Sequence, residues 1–121
     1  MRYFMSIIPP VDLKPEDIPQ SLMDAMGTWM ETNIASGAFV STGGLKPAEE
    51  GKRLVGHSGQ IVMTDGPYSE AKEVIGGYAV LEAADLQGAS AIAREFLQLH
   101  IDNGLTNVAL ELREIAGGVN Y

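Results

Sequence analysis

The sequence predicts an α+β protomer of the ferredoxin-like, βαβ-type kind with an inserted β-hairpin. The order of periodic segments, which is strand, helix, two short strands, strand, helix, strand, is the first observation behind this prediction. The second is that residues 20–36 and 86–99 each carry one apolar helical stripe. The third is a length of 121 residues with 45% apolar and 20% charged residues, which is typical of one globular domain. We therefore treat residues 1–121 as a single domain.

The first two elements are a strand at residues 3–8 and a helix at residues 20–36. The strand ends at Pro9-Pro10 and is apolar on both alternating faces, which is typical of a strand covered on both sides. Gly37 is placed to end the helix. The helix repeats apolar residues at three- and four-residue steps, and we interpret this stripe as core packing: Leu22, Ala25, Met26, Trp29, Met30 and Ile34.

The middle of the chain predicts an extended segment, a loop and a hairpin. Residues 38–40 are extended, and the Gly, Ser and Pro content of residues 41–48 predicts a loop. Residues 53–55 and 60–64 predict two short strands joined by a turn around Gly56-His57-Ser58-Gly59. This pattern places His57 on an exposed turn, where a solvated histidine is more common than a ligand or a base.

The second half repeats the strand and helix order. Gly76-Gly77 opens a strand at residues 76–82, and Asp85 is a good N-cap for a helix that runs to about Leu99. Residues 100–104 form an exit loop, in which Asn103-Gly104 favours a positive-φ turn. The last strand, residues 105–113, alternates Val108, Leu110 and Leu112 with Ala109, Glu111 and Arg113.

This order of elements predicts a sheet with one uncovered face. Right-handed crossovers place both helices on the same side of the sheet. The strands at residues 3–8 and 78–81 are apolar on both sides, so the other face would expose apolar surface to water. Because no third helix is predicted, we expect a second copy of the sheet to cover that face in a two-fold homodimer.

Composition narrows the partners and the compartment. The net charge of −8 disfavours nucleic acid and anionic membranes as partners. The absence of cysteine excludes disulfides, thiolate catalysis and thiolate metal sites. Pro9-Pro10 interrupts the first apolar run, and no run approaches the ~18 residues of a membrane span. The sequence therefore predicts a cytoplasmic protein.

The candidate site begins where an apolar strand meets Asp65-Gly66-Pro67. Three residues together force a turn there: Asp65 has an acceptor side chain, Gly66 is free to take positive φ, and Pro67 lacks a backbone N–H. Asp65 stands at a strand end beside glycine-rich segments, where partial desolvation would raise the pKa of its carboxyl and let it act as a general base. The alternative is that Asp65 accepts backbone hydrogen bonds in an Asx turn that locks Gly66-Pro67.

Five further residues are candidates for the same site. Lys72 would hold an anionic group of a polar substrate, Glu73 would move a proton, and Glu70 would help to bind; the alternative is a solvated set of surface ion pairs. Tyr68 and Tyr78 are expected to line a cavity between sheet and helices, unless they are core tyrosines with satisfied hydroxyls.

No metal or cofactor site is predicted. His57 and His100 are the two histidines of the chain, and neither has a second histidine at i+3 or i+4. The Walker and Gly-x-Ser-x-Gly patterns are also absent from the sequence.

The stretch Thr64-Asp65-Gly66-Pro67-Tyr68-Ser69-Glu70-Ala71-Lys72-Glu73, followed by Gly76-Gly77-Tyr78, resembles the DGPF-type branch of the YCII-related domain family. The resemblance extends to Arg2-Tyr3-Phe4-Met5, Gly44-Leu45-Lys46-Pro47 and Glu111-Leu112-Arg113. It implies a dimeric α/β barrel of ferredoxin-like protomers. Members of the branch are often encoded beside alternative sigma factors, so the resemblance also implies a link to signalling.

The chain departs from the family pattern at three places. Tyr68 stands where the branch carries Phe, and Ala71 stands where it usually carries Thr. YCII relatives outside the branch pair a histidine near the first helix with an aspartate, and the first helix here contains no histidine.

Two functions remain open from the sequence, and the first is built on a small-molecule pocket at residues 65–73. One is cofactor-free acid–base catalysis of an isomerase or lyase type, with Asp65 and Glu73 as catalytic groups. The other is a non-catalytic module that binds a metabolite or a protein partner. In the first, the ligand-binding residues are Tyr68, Glu70, Lys72 and Tyr78.

Overall fold

The structure, a computed structural model, describes residues 1–10, 12–66 and 74–118. This part of the chain contains six strands and two α-helices. In chain order they are β1 (Arg2–Ile8), α1 (Gln20–Ala35), β2 (Phe39–Gly44), β3 (Lys52–His57), β4 (Gln60–Asp65), β5 (Gly77–Glu82), α2 (Leu86–Asp102) and β6 (Ala109–Glu114). Single 3-10 turns lie at Pro15–Asp17, Ala48–Glu50 and Ala116–Gly118.

Four strands form the main sheet in the order β2-β5-β1-β6, and each neighbouring pair is antiparallel. β1 and β2 therefore run parallel to each other with β5 between them. Side chains from α1 and α2 pack against the same buried cluster, so both helices cover one face of the sheet, as predicted. The α+β class is confirmed, and the arrangement is compatible with a ferredoxin-like fold.

The core lies between the sheet and the two helices. The Trp29 ring of α1 stands edge-on to Phe39 at a centroid distance of 5.1 Å and lies 5.2 Å from Phe96 of α2. The interpretation of the α1 stripe as core packing holds at its centre, whereas Ile34 near the end of the helix is exposed. The buried cluster contains Tyr3, Met5, Phe39, Ala79, Leu81, Ala89, Ala93 and Phe96.

The strand β2 is longer than predicted. Residues 41–44, predicted as a loop, continue the strand as far as Gly44, because Gly43 pairs with Tyr78 and Gly44 with Gly77 across the ladder. Pairing with a neighbouring strand here overrides the weak strand preference of Gly and Ser.

The helix α2 also extends beyond its predicted end. His100, predicted in an exit loop, lies in the last turn of the helix, and its side chain is buried. Its Nδ1 lies 2.8 Å from the carbonyl oxygen of Phe96, to which it donates, and its ring packs edge-on against the Phe96 ring. These two contacts stabilise the final turn, and Gly104 then takes a φ of +94° just after the helix.

The hairpin of β3 and β4 forms a second, two-stranded sheet. Its turn is Ser58-Gly59, with φ values of 51° and 79°, the left-handed pair expected of a type I′ turn. Both strands are longer than predicted, so His57 is the last residue of β3 rather than part of the turn, and it is exposed.

Burial of Tyr3 gives the fold a predictable response to alkaline pH. Desolvation raises the pKa of the Tyr3 phenol above 10.0, and the negative charges of Glu114 and Asp85 raise it further. The native state thus holds this proton more tightly than the unfolded state. The protonated Tyr3 phenol therefore makes its full contribution to the unfolding free energy below pH 10, and this contribution is lost as pH rises through the native pKa. We expect the Tyr3→Phe variant to lose stability less steeply above pH 10. Urea unfolding at several alkaline pH values measures this. Equal slopes of unfolding free energy against pH for the Tyr3→Phe variant and the unaltered chain would contradict it.

Candidate functional site

The described part of the candidate site consists of the two chain segments that flank residues 67–73. Asp65 and Gly66 precede these residues, and residues 74–78 follow them. Four of the predicted site residues lie outside the described part of the chain: Tyr68, Glu70, Lys72 and Glu73. Asp65 and Tyr78 are described, and they occupy different surroundings.

Asp65 is the last residue of β4, and its carboxylate is exposed. The Asp65 Oδ1 atom lies 3.6 Å from Nζ of Lys52, its cross-strand partner, and the side chain is 82% accessible. The sequence predicted partial desolvation, and the isolated chain does not provide it, because β4 belongs to the hairpin rather than to the covered sheet. An ion pair this exposed contributes little to stability.

Gly66 brings two backbone segments into close contact. Its N–H donates a hydrogen bond to the carbonyl oxygen of Gly51 at 3.0 Å. A Cβ atom at this position would overlap the carbonyl oxygen of Ala48 and lie 2.7 Å from its carbonyl carbon. Gly66 is not among the glycines with positive φ, so the space that glycine leaves, and not a left-handed backbone, is what the site requires.

Gly76 and Gly77 bring further segments to the same end of the sheet. The N–H of Gly76 donates to the carbonyl oxygen of Ile7 at 2.7 Å, and its own carbonyl oxygen accepts from the N–H of Leu45 at 2.9 Å. A Cβ on Gly76 would lie 2.8 Å from Pro9 Cγ, and one on Gly77 would lie 3.1 Å from the carbonyl oxygen of Gly43. The close backbone approach predicted at this pair is confirmed.

Tyr78 lies on the face of the sheet opposite the helices, which we call the open face. Its neighbours Ala79 and Leu81 belong to the core, so Ala79 faces the helices and Tyr78, one residue earlier, faces away from them. The expected position between sheet and helices is therefore wrong for Tyr78. Its ring lies over Gly43, where an added Cβ would be 3.0 Å from Tyr78 Cε1 and 3.3 Å from the hydroxyl oxygen.

Phe4 completes an aromatic pair that sequence reasoning did not single out. Its ring is parallel to that of Tyr78, with centroids 6.1 Å apart and planes 6° apart, and Phe4 is 37% exposed. We call these two rings the aromatic patch. An aromatic residue often packs over a glycine on a neighbouring strand, so Tyr78 and Gly43 together were a signal in the sequence. Using that signal requires knowing that Tyr78 pairs with Gly43, which the sequence alone does not show.

The aromatic patch and the Asp65 turn lie at the same end of the protomer. Gly43 touches Tyr78, and Ala48 touches Gly66. Gly43 and Ala48 are five residues apart in the chain, so their Cα atoms lie at most about 17 Å from each other. The arrangement offers partly exposed aromatic rings within about 20 Å of the Gly66 turn that follows the exposed Asp65 carboxylate. Such a surface suits stacking with a small planar molecule, and no group of three or more metal-ligating side chains occurs in the described ranges.

Comparison with known proteins gives one positive result. The model of the YCII-related domain family matches residues 1–97, from β1 through most of α2, and the match includes the stretch from Asp65 to Tyr78. No curated protein matches the chain. Within the described residues, no helix combines the length and the apolar character that crossing a bilayer requires.

Proposed function

The chain belongs to the YCII-related domain family, and from this premise we propose that it acts as a homodimer that binds a small molecule beside residues 65–73. The observation that carries the proposal is the aromatic patch on a sheet face that no part of the described chain covers with a helix. The narrower assignment to the DGPF-type branch is also a proposal, supported by the stretch from Thr64 to Tyr78. A cytoplasmic location is proposed on the sequence alone.

The homodimer is supported by the composition of the open face. Its centre is apolar, with Phe4 on β1 beside Val80 on β5, while the edge strand β6 adds the exposed Glu111 and Arg113. An apolar centre with a polar rim is typical of protein interfaces. A second copy that presents the same face would bury both centres and enclose the aromatic patch.

The aromatic patch favours a planar, conjugated ligand. Tyr78 presents one ring surface and a hydroxyl, and Phe4 presents a second ring surface. Lys72 and Glu70 are proposed to select the polar end of the ligand, as the sequence predicted. Binding requires the Tyr78 ring to keep its place over Gly43.

Substitution of Gly43 tests the ligand site. In the Gly43→Ala variant the new Cβ pushes against the Tyr78 ring, so we expect affinity for the ligand to fall at least tenfold. The Gly44→Ala variant is the matched control, because an added Cβ there meets nothing within 4 Å. The measurement is ligand-detected NMR with a panel of planar aromatic metabolites. Equal binding by both variants, or no binding by the unaltered chain, would contradict the proposed site.

A second candidate function is cofactor-free acid–base catalysis, with Asp65 and Glu73 as the proton-transfer groups. The observation in its favour is the Lys52–Asp65 pair at the root of the hairpin, where β3 begins and β4 ends. The exposure of Asp65 argues for the first candidate, since catalytic carboxylates usually lie in a cleft that excludes water. The proposed non-catalytic alternative is a module that binds a metabolite or a protein partner, including a component of sigma-factor signalling.

The Asp65→Asn variant separates the two functions. Because the Asp65 ion pair is exposed, we expect unfolding free energy to change by less than about 0.5 kcal/mol. Ligand binding should change less than twofold if the protein only binds, whereas a catalytic Asp65 predicts loss of turnover with binding retained. Unfolding free energy is measured by denaturation, ligand affinity by NMR titration, and turnover by product detection with the metabolites that bind.

A further inference from the structure

The hairpin of β3 and β4 exposes apolar side chains that its own chain leaves uncovered. Leu54, Ile61 and Met63 are 62%, 77% and 58% exposed. The register pairs Leu54 with Met63 and Gly56 with Ile61, so these three side chains share one face. An isolated two-stranded hairpin is marginally stable, and an exposed apolar face of this kind marks an interaction surface.

A groove on the main body matches this face in chemistry. It lies between α2 and the edge strand β6, with a volume of about 640 Å³. Six of its lining residues are apolar, among them the large side chains of Leu97, Ile101, Leu110 and Leu112. We call it the α2–β6 groove.

We propose that the hairpin of one copy of this chain docks in the α2–β6 groove of a second copy. The proposal rests on the homodimer proposed above and adds that the two subunits exchange arms. β2 and β6 are the two edges of the main sheet, and the hairpin follows β2 in the chain. A two-fold axis parallel to the strands, between two facing sheets, places the β2 edge of each protomer beside the β6 edge of the other.

Charge favours a second copy as the occupant over nucleic acid or an anionic membrane. The hairpin carries Lys52, Arg53 and Asp65, a net charge of +1, in a chain of net charge −8, so the remainder carries −9. The remainder repels polyanions. Among the described residues that line the α2–β6 groove, Arg94 is charged and the others are neutral, so the apolar face of the hairpin, and not its charge, matches the groove.

The absence of cysteine allows a direct test by crosslinking. The Ile61→Cys variant is mixed with a mass-tagged Ile101→Cys variant, subunits are exchanged, and a short bis-maleimide is added. We expect a covalent heterodimer. The control replaces Ile101→Cys with Met23→Cys, an exposed position on α1, and should give no heterodimer. A heterodimer with both partners, or crosslinks between two Ile61→Cys chains, overturns the arm exchange.

A second measurement covers variants that crosslink poorly. The dimer dissociation constant of the Ile61→Asp variant should rise at least tenfold, while that of Thr64→Asp, on the opposite face of the hairpin, should change less than threefold. Sedimentation separates the two levels of the proposal. If the unaltered chain is dimeric and the Ile61→Asp variant dimerises equally well, the arm exchange alone is overturned. If the unaltered chain is monomeric at micromolar concentration, the homodimer is overturned as well.

Discussion

Replacing Val80 with aspartate is expected to dissociate the proposed homodimer, with a rise of at least a hundredfold in its dissociation constant. Val80 lies on β5 between Phe4 on β1 and Ser41 on β2, near the centre of the open face. A carboxylate there would be buried between two sheets, and neither cross-strand neighbour is basic. An unpaired buried charge costs about 3 kcal/mol or more, and about 2.8 kcal/mol corresponds to a hundredfold change in affinity.

Analytical ultracentrifugation of the Val80→Asp variant at micromolar concentration measures this change. The Met23→Asp variant is the control, because Met23 is also exposed and apolar but lies on α1, in the helix layer. Far-UV circular dichroism should show that both variants keep their secondary structure. An unchanged dimer in the Val80→Asp variant would mean that the open face is not the interface.

The parts of the fold that the sequence predicts well are those with a local cause. Asp85 was predicted as an N-cap, and its carboxylate accepts a hydrogen bond from the N–H of Gly88 at 2.8 Å. The alternation along β6 was also predicted, and Leu110 and Leu112 pack against the core while Glu111 between them is exposed. Each of these signals lies within a few residues along the chain.

The parts that the sequence predicts poorly depend on distant contacts. Gly43 and Gly44 read as loop residues, and pairing with β5 makes them strand. His100 is an exception, because the contacts that place it in the last turn of α2 are with Phe96, four residues earlier in the same helix, and are therefore local. The state of Gly43 and Gly44 does not follow from local propensity, because pairing with a distant strand overrides it.

The candidate site shows the same division. The position of Asp65 at a strand end follows from the turn chemistry beside it, whereas its exposure depends on how the hairpin stands relative to the sheet. The face on which Tyr78 lies could have been predicted from the sequence. Side chains alternate along a strand, so if Ala79 and Leu81 of β5 lie in the core, Tyr78 lies on the opposite face. The stacking of Phe4 on Tyr78 depends on strand order and could not be read from one strand alone.

Substitution of Gly66 by alanine is the prediction with the second large effect. The new Cβ would overlap a carbonyl oxygen of the Ala48 backbone, which cannot rotate away as a side chain would. The root of the hairpin must then move, and the hydrogen bond from Gly66 to Gly51 is lost with it. We expect a loss of about 3 kcal/mol of unfolding free energy, at the upper end of what overpacking costs.

The Gly56→Ala variant is the matched control, because Gly56 lies in the same hairpin and an added Cβ there meets nothing within 4 Å. We expect its stability to stay within about 0.5 kcal/mol of the unaltered chain, since alanine also restricts the unfolded state. Urea unfolding measures both variants, and amide hydrogen exchange locates the damage. If Gly66→Ala raises exchange in β3 and β4 while the main sheet stays protected, then Gly66 anchors the hairpin to the Ala48 turn. Equal stability of the two variants would instead contradict the close contact between Gly66 and the Ala48 backbone.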